Sequence, residues 1–92
     1  MLFVSLGRPK AGTTPQERIA RRAKWQFPEG ARLVAEYWPI GGEYTVITIA
    51  EADSIAPLMA AIVAWADVFD FTVHPAVTAE EGLRLAQQML KG

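Results

Sequence analysis

From Leu2 to Leu6 the side chains alternate, Leu2, Val4 and Leu6 against Phe3 and Ser5, and Gly7-Arg8-Pro9-Lys10-Ala11-Gly12 follows as loop chemistry, so a first strand is expected over Leu2 to Leu6. Thr14-Pro15-Gln16-Glu17 then supplies a capping hydroxyl, a proline at the first helical position and a glutamate three residues past the cap. That combination predicts a helix start. Ile19, Ala20, Ala23 and Phe27 recur at three- and four-residue spacing and predict the packed side of this helix, with its arginines turned outward; Pro28-Glu29-Gly30 ends it.

Ala31 to Ile40 and Glu43 to Glu51 are rich in β-branched and aromatic residues, and Gly41-Gly42 between them tolerates the positive φ of a tight turn, which predicts an antiparallel hairpin. Ser54 is the expected cap of the next helix because Pro57 then falls in its first turn. Ile55, Leu58, Met59, Ile62, Val63 and Ala66 give that helix a wide apolar stripe. Phe69 to Val77 is extended in character, and Pro75 points to an edge strand. Thr78-Ala79-Glu80-Glu81 is a second capping box, and Leu83, Ala86, Met89 and Leu90 form the narrow apolar face of a last helix.

The resulting order predicts one α+β domain over residues 1–92: a ferredoxin-like βαββαβ sandwich with an extra C-terminal helix and a four-stranded antiparallel sheet. Both helices of the sandwich lie on one face of such a sheet, so the other face is wet, paired or used. Leu2, Val4, Leu6, Leu33, Ala35, Ile47, Ile49, Phe71 and Val73 are the more uniformly apolar set and are expected under the helices. Phe3, Ser5, Val34, Glu36, Trp38, Tyr44, Val46, Thr48, Thr72 and His74 are then expected on the helix-free face. A chain of 92 residues buries only about 60–65% of its unfolded surface, and self-association would supply the missing cover.

Composition narrows the chemistry. The absence of cysteine removes disulfides, thiolate nucleophiles and thiolate-bound metals. The apolar start, Met1 to Leu6, has no basic segment before it and is too short for a signal peptide or a membrane span, which makes the cytoplasm the expected location, with no membrane partner. Arg8, Lys10, Arg18, Arg21, Arg22 and Lys24 crowd the first quarter, yet the pI near 5.7 and the lack of a reading motif argue against nucleic acid; a solvated or acid-paired helix face is expected. Gly7 to Gly12 has neither the Gly-Lys-Ser/Thr ending nor the dinucleotide spacing of a phosphate loop. One histidine, His74, cannot make a metal site alone, and no metal or cofactor is expected.

The run Tyr37-Trp38-Pro39-Ile40-Gly41-Gly42-Glu43-Tyr44-Thr45-Val46-Ile47-Thr48-Ile49-Ala50-Glu51-Ala52-Asp53, with Trp65-Ala66-Asp67 and Phe71-Thr72-Val73-His74-Pro75, resembles small bacterial GYD-type and related domain-of-unknown-function proteins of the dimeric α+β barrel superfamily. The resemblance implies a homodimer with sheets face to face. It does not imply an enzyme, since that superfamily mixes cofactor-free monooxygenases, isomerases, haem degraders and proteins without known activity.

Two functional readings follow. The first is a homodimeric small-molecule-binding or interaction module whose pocket lies on the helix-free face, with Phe3, Ser5, Trp38, Tyr44, Thr48 and His74 against a small apolar or aromatic ligand. The alternative is a cofactor-free monooxygenase or isomerase acting on a small aromatic or quinone-like substrate, with His74 as base and Glu36 as its carboxylate partner. Each residue also has a plainer role: a strand histidine beside proline is more often structural, and Trp38 with Tyr44 is equally a cross-strand packing pair.

Overall fold

In the computed structural model, which describes Met1–Lys91, the elements run β1 (Leu2–Pro9), α1 (Pro15–Ala23), β2 (Ala31–Tyr37), β3 (Val46–Ala52), α2 (Ala56–Trp65), β4 (Phe69–Ala76) and α3 (Ala79–Lys91). The four strands form one antiparallel sheet in the order β2-β3-β1-β4, so β4 is an edge strand and the fold is the ferredoxin-like βαββαβ sandwich with a third helix appended.

Local chemistry accounts for most boundaries. Thr14 is extended (φ −87°, ψ 159°) and its hydroxyl accepts from the Glu17 amide at 3.1 Å, which starts α1; the Thr78 hydroxyl does the same for Glu81 at 3.1 Å and starts α3. α2 differs from the expectation. Its capping position is Ile55 in helical conformation with no side-chain cap bond, and Ser54 lies one residue earlier, its hydroxyl 3.4 Å from the Ala56 amide. Proline at the first helical turn removes one of the amides a cap would satisfy, so the serine has little to gain there.

The hairpin between β2 and β3 is antiparallel as expected, but the strands stop at Tyr37 and restart at Val46. Trp38 to Thr45 therefore forms an extended loop, with Gly41 and Gly42 at φ 92° and 86°. Strand β1 is longer than expected and continues through Gly7 to Pro9, because β3 pairs with it as far as Gly7 and β4 as far as Pro9.

The face assignment is reversed for β1 and β3. Phe3, Ser5 and Gly7 lie opposite Ala50, Thr48 and Val46 on β3, and opposite Pro75, Val73 and Phe71 on β4. These residues share the side that carries the core of Phe3, Ala50, Ala52 and Leu58, the last contributed by α2. Leu2, Val4, Leu6, Ile47 and Ile49 therefore face away from the helices, together with Thr72 and His74. The reason is that both faces of this sheet are largely apolar, so alternation says which residues travel together and not which side the helices cover.

On β2 the sides change part-way. Leu33 pairs with Ala50 but Ala35 pairs with Ile49, which places a bulge at Val34. Leu33 and Glu36 thus both come to the helix side, and Tyr37, opposite Ile47, goes to the open side.

The core is small. Phe3, Ala50, Ala52, Leu58, Trp65 and Val68 are the buried apolar residues among those described, and neither α1 nor α3 buries any residue. Leu83, Met89 and Leu90 on α3 are 61%, 80% and 87% exposed, and every position from Leu83 to Lys91 is open. The molecule measures 52 × 31 × 17 Å, and its radius of gyration of 15.3 Å exceeds the roughly 12 Å of a compact domain of this length. Among the described residues no helix is long and apolar enough to cross a membrane.

Candidate functional site

Between the sheet and the helix layer runs a cleft with two lobes that share Arg22, Glu36, Val46, Trp65 and Phe69. The inner lobe, about 80 Å³, has the sheet as floor, with Phe3, Ser5, Thr48 and Phe71, and α2 as roof through Leu58, Ala61 and Ile62. The outer lobe, about 300 Å³, opens under α1 between Ile19, Arg18 and Trp38. Gly7 sets the floor beside it. A Cβ there would stand 2.5 Å from the Val46 side chain and 2.7 Å from the Phe71 ring, so only glycine lets those two close over β1.

One wall is a continuous aromatic ladder. Phe27, Trp25, Trp65, Phe69 and Phe71 follow one another with ring centroids 6.1, 5.7, 5.8 and 5.3 Å apart, the first two contacts edge-to-face. Trp65 ends α2 and is buried; Trp25 and Phe27 come from the connection after α1, which the Lys24 and Trp25 amides tie back to the last helical carbonyls. Arg21 holds the junction, its guanidinium 4.7 Å above the Trp65 ring and bonded to both Asp67 oxygens at 3.2 and 2.9 Å. That hydrogen bond keeps the Asp67 carboxyl below the usual carboxylate range.

The polar side of the cleft is built on Glu36. Its side chain is only 12% exposed, and it accepts from Arg22 Nε at 3.1 Å on each oxygen and from Trp38 Nε1 at 2.7 Å. Arg22 lines both lobes, lies 5.5 Å over the Phe27 ring and engages Glu36 through Nε alone. Arg18, one turn earlier on α1, lines the outer lobe and donates through Nη1 to the Thr13 carbonyl at 2.9 Å and its hydroxyl at 3.2 Å. The Thr45 hydroxyl, in the wall of the outer lobe, is buried with no hydrogen-bond partner.

The structure thus divides the residues expected to share one site. Phe3, Ser5, Thr48, Glu36 and Trp38 line the cleft on the helix side. His74 is exposed on the open face of β4, opposite Val4, with β3, β1 and the thickness of the sheet between it and Glu36 on β2. Within one protomer these two cannot form an acid–base pair. Tyr44 precedes β3 and sits beneath the Arg8 guanidinium, 5.6 Å from its ring centroid. Among the described residues no group of His, Cys, Asp and Glu could hold a metal ion.

α1 is turned the other way from expectation. Ile19 is 51% exposed and Ala20 and Ala23 are open, while Arg18 and Arg22 are the half-buried positions of the helix. The apolar spacing on α1 is too short to fix its rotation, and two arginines with partners across the fold, Arg21 and Arg22, outweigh one isoleucine. Arg22, Trp25 and Thr45, with Arg18, Trp65 and Phe69, are cleft residues that sequence reasoning missed. A signal for the first existed: Arg18 and Arg22 stand at i, i+4, on one side of α1.

The profile of a family described as "Domain of unknown function (DUF3303)" matches residues 1–90. The chain belongs to that family. No curated protein and no solved structure matches this DUF3303 domain. Its function must therefore be argued from the cleft and the surfaces around it.

Proposed function

We propose that this DUF3303 chain is a homodimeric small-molecule-binding module of the dimeric α+β barrel superfamily, bacterial in kind and cytoplasmic, that holds a small, flat, largely apolar ligand between its sheet and its helices. The observation that carries this reading is the aromatic-walled cleft of about 300 Å³, with its few polar groups gathered at Glu36. Apolar walls with a small number of placed polar groups are the usual composition of a ligand pocket. The cleft's lining contains one carboxylate, already ion-paired, and no histidine, so binding suits it better than acid–base catalysis.

The dimer is supported by what the single chain leaves open. Leu2, Val4, Leu6, Ile47 and Ile49 make a central aliphatic patch on the helix-free face, and α3 offers a second uncovered stripe. A second copy packed against the open face would cover its aliphatic centre on the side of the sheet away from the cleft.

Two measurements test the reading. Light scattering at tens of micromolar should give twice the 10.1 kDa chain mass. Calorimetric titration with a bicyclic aromatic probe such as 2-naphthalenemethanol or 2-naphthoate should show saturable binding that Trp65→Ala abolishes. A monomer mass removes the dimer, and the absence of binding by both probes removes the module.

A further inference from the structure

We propose that the ligand of this cleft is a flat aromatic carboxylate, its ring against the aromatic wall and its carboxylate on the Nη fork of Arg22; the proposal rests on the binding reading above and names the ligand's class. Arg22 is held oddly for a structural ion pair. A guanidinium that only neutralised Glu36 would present two parallel donors to it, the bidentate arrangement that carboxylates favour. Here a single nitrogen, Nε, is shared between both Glu36 oxygens at 3.1 Å, and neither Nη atom donates to any described residue. The fork is left free on a residue that lines both lobes and whose side chain is only 31% exposed.

Glu36 is by contrast fully engaged, since Trp38 Nε1 occupies it from the far side at 2.7 Å. It fixes the rotation of Arg22 by gripping Nε, and the guanidinium plane lies over Phe27. A planar acceptor with two oxygens matches the planar fork that remains. Two further features agree with an anion. The charged groups lining the cleft are Arg18, Arg22 and Glu36, an excess of one positive charge in a chain whose net charge is −1. The Thr45 hydroxyl is a buried group without a partner in the same lobe, and a ligand oxygen would satisfy it. A phosphate would need more donors than one fork, and the apolar walls would strand its remaining oxygens.

The test is calorimetric titration at pH 7 with 2-naphthoate and its uncharged match, 2-naphthalenemethanol. The acid should bind at least about tenfold tighter, the scale of one charge-assisted hydrogen-bonding contact. Arg22→Gln should erase that margin while leaving the alcohol's affinity unchanged. Glu36→Gln, which keeps an acceptor for Trp38 and removes the competing charge, should widen the margin. Equal affinities for acid and alcohol overturn the carboxylate but leave the binding module standing; failure of both probes to bind overturns the two together. If Arg22→Gln does not fold by circular dichroism, the Glu36→Gln result decides: a margin that narrows is what a merely structural ion pair predicts, and it overturns the proposal.

Discussion

The two faces of the sheet are built from different kinds of residue. Under the helices lie aromatic rings, small residues and hydroxyls: Phe3, Ser5, Gly7, Thr48, Ala50 and Phe71. Away from them lie Leu2, Val4, Leu6, Ile47 and Ile49, an aliphatic centre flanked by Arg32, Tyr37, Glu51, Thr72 and His74. The small residues and most of the rings are thus gathered on the covered face. A helix layer that closes tightly would need side chains matched like those of any core, but here α1 stands off on arginines and the space beneath it is lined rather than filled. Aliphatic residues are what a flat seal between two sheets requires, since they bring no polar group that would need a partner. The difference teaches that the enclosed face carries the aromatic and hydroxyl groups suited to a ligand, while the open face has an aliphatic centre suited to the proposed dimer.

Three substitutions bear on this contrast. The largest effect is expected on the covered face, where Trp65→Ala removes a buried ring from the middle of the aromatic ladder and should lower unfolding free energy in urea by about 3–5 kcal/mol. A loss under 1 kcal/mol would mean that the ladder is loose packing and that the faces differ less than described. On the open face, Val4→Glu places a charge between Ile49 and His74 and should raise the dissociation constant of the proposed dimer at least about 100-fold, about 2.7 kcal/mol, read by light scattering over a dilution series. An unchanged dimer would move the seam elsewhere.

The smallest effect belongs to neither face. Asp67→Asn loosens the Arg21 bridge that ties α1 to the end of α2. Because the Asp67 carboxyl is held below its unfolded value by Arg21, its contribution is complete above the ordinary carboxylate range and disappears as pH falls through the folded pKa. The melting temperatures of wild type and variant should therefore differ slightly at neutral pH and converge in acid. A gap that persists at low pH would show that the bridge acts through packing instead of charge.

Element order was legible in the chain because its signals are local. Two threonine capping boxes, a glycine pair between β-branched runs and a proline at the sheet edge each depend on a few adjacent residues, and the structure forms all of these elements. Sidedness was not legible in the same way. Leu2, Val4 and Leu6 do alternate with Phe3 and Ser5, but ranking the two sets by apolar content assumes that the helices take the more apolar one. That assumption fails where both faces are largely apolar. The rotation of α1 failed for a related reason, since Arg21 and Arg22 gain Trp65, Asp67, Phe27 and Glu36 only through chain segments far away in sequence. Of the expected ligand residues, Phe3, Ser5, Thr48 and Trp38 do share a cleft, while His74 stands apart from it.

The bulge at Val34 reaches further than its size suggests. Leu33 and Glu36 are an odd number of positions apart, so on an unbroken strand they would point to opposite sides; the bulge brings both to the helix side, where Glu36 lines the cleft. On an unbroken β2 the Glu36 carboxylate would stand instead among Ile47 and Ile49, on the surface proposed to meet a second copy. The backbone bend, and not the residue count, therefore decides where the acid points: with it, Glu36 meets Arg22, whereas the same sequence drawn straight would turn the carboxylate to the open face and leave the guanidinium unguided. The cleft and the open face are in this way shaped together by a bend at Val34, a residue that does not line the cleft.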